Sequence, residues 1–169
     1  MIKYFNLVFV TFFGIGKIKF APGTFASLIT TIVLFNFFRI LDLSNQLILY
    51  ILLIIFSYSF YAIKEYIKNN DNKDPKEVVV DEVIGQSIPI YLYEIAHGTT
   101  KISSEEAVLF YLYIFILFRF FDIKKPFPVS YFDKNFKNSF GVIMDDVIAG
   151  FYVTLTLIIF IVIKSKLFS

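Results

Sequence analysis

Leu43–Ile63 reads LSNQLILYILLIIFSYSFYAI, an uncharged run at residues 43–63 bounded by Asp42 and Lys64. A helix that crosses a bilayer needs about 20 predominantly apolar residues, and this run supplies them. Working outward, Phe20–Phe38 is uncharged between Lys19 and Arg39, and Val147–Ile163 is uncharged up to Lys164. Two further runs are shorter. Ala107–Phe118 becomes long enough only if Arg119 and Asp122 sit at the interface. Val83–Tyr93 is followed by Glu94 and His97 and contains Gly85 and Pro89, so a kinked or partly unwound segment is expected there. The expectation is an all-α fold, a polytopic membrane helix bundle of about four to five transmembrane helices. A short N-terminal membrane-associated segment precedes it.

Composition agrees. The 169 residues are 57% hydrophobic and 18% charged, whereas soluble domains carry about 25% charge. The mean hydropathy is +0.72. The formal net charge of +2, with no basic patch, argues against nucleic acid as a partner. There is no cysteine, which excludes disulfides, thiolate metal sites and thiol catalysis, and the lone His97 excludes the usual multi-histidine zinc sites. A metal would be held by oxygen, favouring magnesium, manganese or calcium. The apolar start, Met1–Phe13, lacks a small-x-small cleavage pattern and is read as part of the mature chain.

Charge sets the orientation. Lys17 and Lys19, the 64–82 connection and the 119–146 connection are rich in lysine and arginine, whereas Asp42–Gln46 has neither. The positive-inside rule puts the three basic regions on the cytoplasmic side. Asp42–Gln46 and Gly98–Glu106 then lie outside, which requires the 83–97 segment to cross or nearly cross. Lys164 and Lys166 fall outside, against the rule.

Acidic residues beside membrane helices are costly and usually functional. Here they gather at the cytoplasmic ends. Asp81 and Glu82 open the 83–97 segment, and successive helical residues diverge by about 100°, so one acid can face a metal and the other a basic partner or second metal. Capping of a helix start explains the same pair. Asp145 and Asp146 open the last helix among apolar neighbours, and adjacent carboxylates repel unless a cation neutralises them. Arg119 and Asp122 stand three residues apart on one helical face, with Lys125 three further on and Pro126 closing the helix. Arginine and lysine suit phosphate. Lys19, the Pro22-Gly23 turn, Thr24 and Ser27 precede the first spanning helix, whose N-terminus is a natural anion site; Thr24 as a simple N-cap is the rival explanation. Asp71, Asp74 and Asp133 read as solvated loop residues, and His97 as an interfacial one.

Four of these segments together resemble the phosphatidylglycerophosphatase A family: Pro22-Gly23-Thr24 with Ser27, Val80-Asp81-Glu82-Val83-Ile84-Gly85, Phe118 through Pro128, and Gly141 through Gly150. They span residues 14 to about 152. Phe127 stands where the family usually has tryptophan, and Ala26 where glycine is common. The resemblance implies a single membrane-embedded phosphatase domain over residues 1–169 of the chain. It implies a bacterial inner-membrane enzyme, active on the cytoplasmic face, that cleaves the terminal phosphate of a phospholipid, phosphatidylglycerophosphate, with Mg2+. Asp81, Glu82, Asp122, Asp145 and Asp146 are then the catalytic acids and ligands for one or two magnesium ions. Arg119 and Lys125, with Lys19 and Thr24, bind the substrate phosphate. Direct attack by water is preferred to an aspartyl-phosphate, since no single acid stands out as nucleophile. Two other classes use similar residues. A divalent-cation transporter would stack its acids at several depths, and a phospho-alcohol transferase would show a denser, spaced aspartate–glycine pattern.

Overall fold

A computed structural model describes residues 2–68, 75–97 and 104–167; Asp71, Asp74 and most of the Gly98–Glu106 connection lie outside them. The described chain is all helical: α1 (Ile2–Val10), a 3-10 turn (Ile15–Lys17), α2 (Pro22–Phe35) running into a π-helical turn (Asn36–Ile40), α3 (Asn45–Ile67), α4 (Val80–His97), α5 (Ser104–Lys124), α6 (Val129–Asn135) and α7 (Ser139–Leu167). Three spans are long and apolar enough to cross a membrane among the described residues: Pro22–Ile40, Asn45–Ile67 and Ser139–Ile163. With α4 and α5 they form a membrane helix bundle.

The nine-residue α1 is too short to span, at about 1.5 Å per residue. It lies along α3, with Phe5 and Phe9 edge-on to the Tyr58 ring and Asn6 Oδ1 accepting from the Tyr58 hydroxyl at 2.5 Å. Its end ties to the start of α4, where Val79 N–H donates to the Val10 carbonyl at 2.9 Å.

Two expectations are corrected. Val80–His97 is one continuous α-helix through Pro89 rather than an unwound segment. The preceding turn and close packing on α2, α3 and α7 hold it in place. The last helix begins at Ser139, so Asp145 and Asp146 sit well inside α7 instead of opening it. Helix capping therefore does not account for them.

The core of the bundle is the α4–α7 pairing. It is close because two glycines meet: a Cβ on Gly85 would stand 2.6 Å from the Asp146 carbonyl oxygen, and one on Gly150 would collide with the Gly85 carbonyl. Phe118, fully buried on α5, packs against the same Gly85. At the end of the bundle away from Asp81 and Asp146, Arg39 on the π-helical turn pairs with buried Glu94 at 2.9 Å, and the Tyr111 hydroxyl donates to that carboxylate at 2.8 Å. The chain alternates direction between these two ends. The start of α2, the end of α3, the start of α4, the end of α5, α6 and the start of α7 therefore share one face.

Candidate active site

At that shared face lies a cleft of about 400 Å³. Its walls include every residue the sequence assigned to catalysis, metal or phosphate: Lys19, Thr24, Asp81, Glu82, Arg119, Asp122, Lys125, Asp145 and Asp146. Lys76, from the approach to α4, joins them.

The acids divide into two groups. Asp81, Glu82 and Asp146 each offer a carboxylate oxygen, and the three oxygens lie within 4.8 Å of one another. Asp81 and Asp146 are buried. Glu82 Oε2 and Asp146 Oδ1 have no hydrogen-bond partner among the described residues. Three carboxylates crowded at low exposure repel strongly without a counter-charge. Their all-oxygen donor set suits a hard divalent cation, so these side chains fit such an ion. The other two acids are held by cations. Asp122 Oδ2 lies 2.6 Å from Arg119 Nη1, and Asp145 Oδ2 accepts from Lys125 Nζ at 2.6 Å.

Glu82 reaches the cluster because α2 presents Gly23 to it. A side chain at Gly23 would collide with Glu82 Oε1, and its Cβ would come within 3.4 Å of Arg119 Nη1. Arg119 in turn donates to the Ser27 hydroxyl at 3.4 Å, which ties α5 to α2. Thr24 is not the N-cap of α2; Ala21 is, in a left-handed conformation. The Thr24 and Phe25 amides both donate to the Ala21 carbonyl, at 3.0 and 3.3 Å. Thr24 lines the cleft, and its amide is not a free backbone donor there.

Lys125 follows α5 with φ 44, a left-handed residue that ends the helix before Pro126. It also donates to Asp133 Oδ1 on α6 at 2.8 Å. Burial alone would lower its pKa, but the Asp145 and Asp133 carboxylates outweigh that and hold it above the usual lysine value. It is a fixed cation. Asp133 thus belongs to the support of the site rather than to a solvated loop. The sequence carried no local signal for this, because the pairing depends on where α6 docks against α7.

Fold and site together define a class: an integral membrane protein with a carboxylate cluster and cationic side chains converging at one membrane face, the arrangement of an enzyme that handles phosphate. The chain belongs to the phosphatidylglycerophosphatase A family, whose sequence profile it matches over residues 8–161, and it is a phosphatase. It is 34% identical over 140 residues to the phosphatidylglycerophosphatase A of Haemophilus influenzae, covering 83% of this chain and 78% of the relative. A Bacteroides thetaiotaomicron protein, named provisionally as a phosphatidylinositol-3-phosphatase, is 33% identical over 143 residues, 84% of either chain. The phosphatidylglycerophosphatase A of Escherichia coli matches at 42% over 36 residues, 21% of either chain. No solved structure matches the chain.

Proposed function

We propose that this protein hydrolyses phosphatidylglycerophosphate to phosphatidylglycerol and inorganic phosphate, at the cytoplasmic face of a bacterial inner membrane and with magnesium. The observation that carries this reading is the meeting of Asp81, Glu82 and Asp146 within 4.8 Å, in a cleft that also holds Arg119 and Lys125. Family membership and the name of the Haemophilus relative support the substrate.

In the reaction, a water oxygen bonds to phosphorus and the phosphorus–oxygen bond to the glycerol primary oxygen breaks. That oxygen takes a proton and leaves as the alcohol. Asp81, Glu82 and Asp146 would hold magnesium, which when bound offsets the negative charge of the phosphate and of the departing oxygen. Lys19 and Lys76 stand at the cleft wall, where they would draw in the dianionic terminal phosphate of the headgroup. Arg119, oriented by Asp122 and Ser27, presents its planar donors toward the phosphate. Lys125 neutralises Asp145, so this acid adds no net repulsion to the incoming phosphate. A cleft carboxylate not bound to the metal accepts the proton of the attacking water.

Phosphate release from phosphatidylglycerophosphate in mixed micelles, with magnesium and then with chelator, tests the reading. Release that requires magnesium, and exceeds release from phosphatidylinositol 3-phosphate, is the expected result. Magnesium-independent release removes the metal role; a preference for the inositol lipid reassigns the substrate.

A further inference from the structure

Ile123 has two surroundings at once. It forms part of the wall of the acidic cleft, yet it is 67% exposed. It follows Asp122 on α5, and at about 100° per residue it faces outward from the bundle where Asp122 faces in. Ile123 also ends a stripe. Leu109, Leu112, Ile116 and Phe120 are all exposed and recur at three- and four-residue spacing along α5. An exposed apolar ridge therefore runs the length of α5 and stops inside the cleft. Just before α2, Phe20 is 82% exposed between Lys19 and Ala21, both of which line the cleft.

We propose that the cleft opens sideways into the bilayer between the start of α2 and the end of α5, and that Phe20 and Ile123 grip the first part of a substrate acyl chain lying along the α5 ridge. This deepens the lipid phosphatase reading and rests on it. The occupant is an acyl chain of a phosphorylated phospholipid, because the same opening carries both kinds of complement. Lys19 and Lys76 match the phosphate, and Ile123 on the wall, with Phe20 between the lining residues Lys19 and Ala21, matches hydrocarbon. Gly23 lets the Glu82 carboxylate and Arg119 lie directly against α2 at the cleft wall, beside this opening. A soluble phosphomonoester would use the same cations but gain nothing from Phe20 and Ile123. These two residues are thus specificity determinants, acting on the lipid rather than on the reacting phosphorus.

The test uses the full chain in proteoliposomes with two substrates, dioleoyl phosphatidylglycerophosphate in the bilayer and the dihexanoyl form added from water. The readout is the ratio of kcat/KM for the long-chain to the short-chain lipid. Phe20→Ser with Ile123→Ser should lower that ratio by about 10-fold, the discrimination that a few methylenes of apolar contact provide. Ile54→Ser, which removes an equally exposed side chain from α3, should leave the ratio at the wild-type value. An unchanged ratio in the first variant, or an equal fall in the second, overturns the proposal. No release from either lipid by the wild type overturns the phosphatase reading itself, and the lateral route with it.

A second measurement is independent of turnover. The chain has no tryptophan, so Ile123→Trp in an Asp146→Asn background places one reporter at the mouth. Phosphatidylglycerophosphate brominated on its acyl chains should quench it more than brominated phosphatidylcholine at equal mole fraction, whereas Ile54→Trp should not distinguish the two. Equal quenching at position 123 overturns the proposal.

Discussion

Asp146 is 4% exposed, and its Oδ1 accepts no hydrogen bond among the described residues. It faces Asp81 and Glu82 across the cluster. Replacing Asp146 by Asn removes one ligand and one charge without changing the side chain's shape. Activity should fall by about 100-fold or more, since a bound metal supplies several kcal/mol at the transition state. The same change relieves repulsion, so the metal-free variant should melt no lower than wild type in detergent, while the rise in Tm on adding magnesium disappears. A variant that keeps both activity and the magnesium-dependent rise would remove Asp146 from the site. Lys125 gives the converse case. Lys125→Met leaves Asp145 buried beside the acidic cluster without its cation. The expected cost is about 1–3 kcal/mol, between the exposed and buried limits for ion pairs. Asp145→Asn in the same chain should recover part of it, and a double-mutant cycle on thermal unfolding measures the coupling.

At the scale of elements, glycines decide which helices can meet. Gly23→Ala puts a methyl group against Glu82 Oε1. The carboxylate must swing away from Asp81 and Asp146, so activity should drop severalfold while stability changes little. Gly85→Ala acts differently. Its Cβ would lie 2.6 Å from the Asp146 carbonyl and 2.8 Å from the Phe118 ring. The α4–α7 crossing must open, at about 1–3 kcal/mol for an overpacked interior, and activity and Tm should fall together. At the opposite end, Arg39, Glu94 and Tyr111 clamp the π-helical turn after α2 to α4 and α5. Asp81 and Glu94 are thirteen residues apart in one helix, or about 20 Å. Arg39→Met should therefore lower Tm by leaving buried Glu94 without its cation, yet leave kcat near wild type; loss of kcat without loss of Tm would tie the clamp to the chemistry.

For the whole molecule, the lysines that flank the cleft predict the direction of insertion. The chain has no cysteine, so a single introduced thiol reports its own side. Lys134→Cys on α6 should react with an impermeant maleimide only when the cytoplasmic side is open, and Lys166→Cys at the end of α7 only from the other side. Labelling of both from one side would contradict the odd number of crossings between them.

Much of this molecule was legible from periodicity and charge alone. The uncharged run at 43–63 and its neighbours specify membrane helices because lipid tolerates no unpaired charge over that length. The acids at Asp81, Glu82, Asp122, Asp145 and Asp146 stand out because a bilayer-facing sequence does not retain them without use. Other features depend on which helix faces which, and no local pattern encodes that. Gly85 and Pro89 suggested a kinked or partly unwound segment, but packing on three sides keeps α4 one continuous helix. Asp145 and Asp146 looked like a helix start, but the last helix begins earlier, at Ser139, because α6 and the turn after it fold back onto α7. The sequence by itself determined a membrane helix bundle with acids and lysines at one face, since hydropathy and charge are properties of each segment. Only the tertiary structure decided that Asp81, Glu82 and Asp146 form the cluster while Asp122 and Asp145 are held by Arg119 and Lys125. A carboxylate's partner is set by distances across helices, and those are fixed by how closely Gly23 and Gly85 let the helices approach.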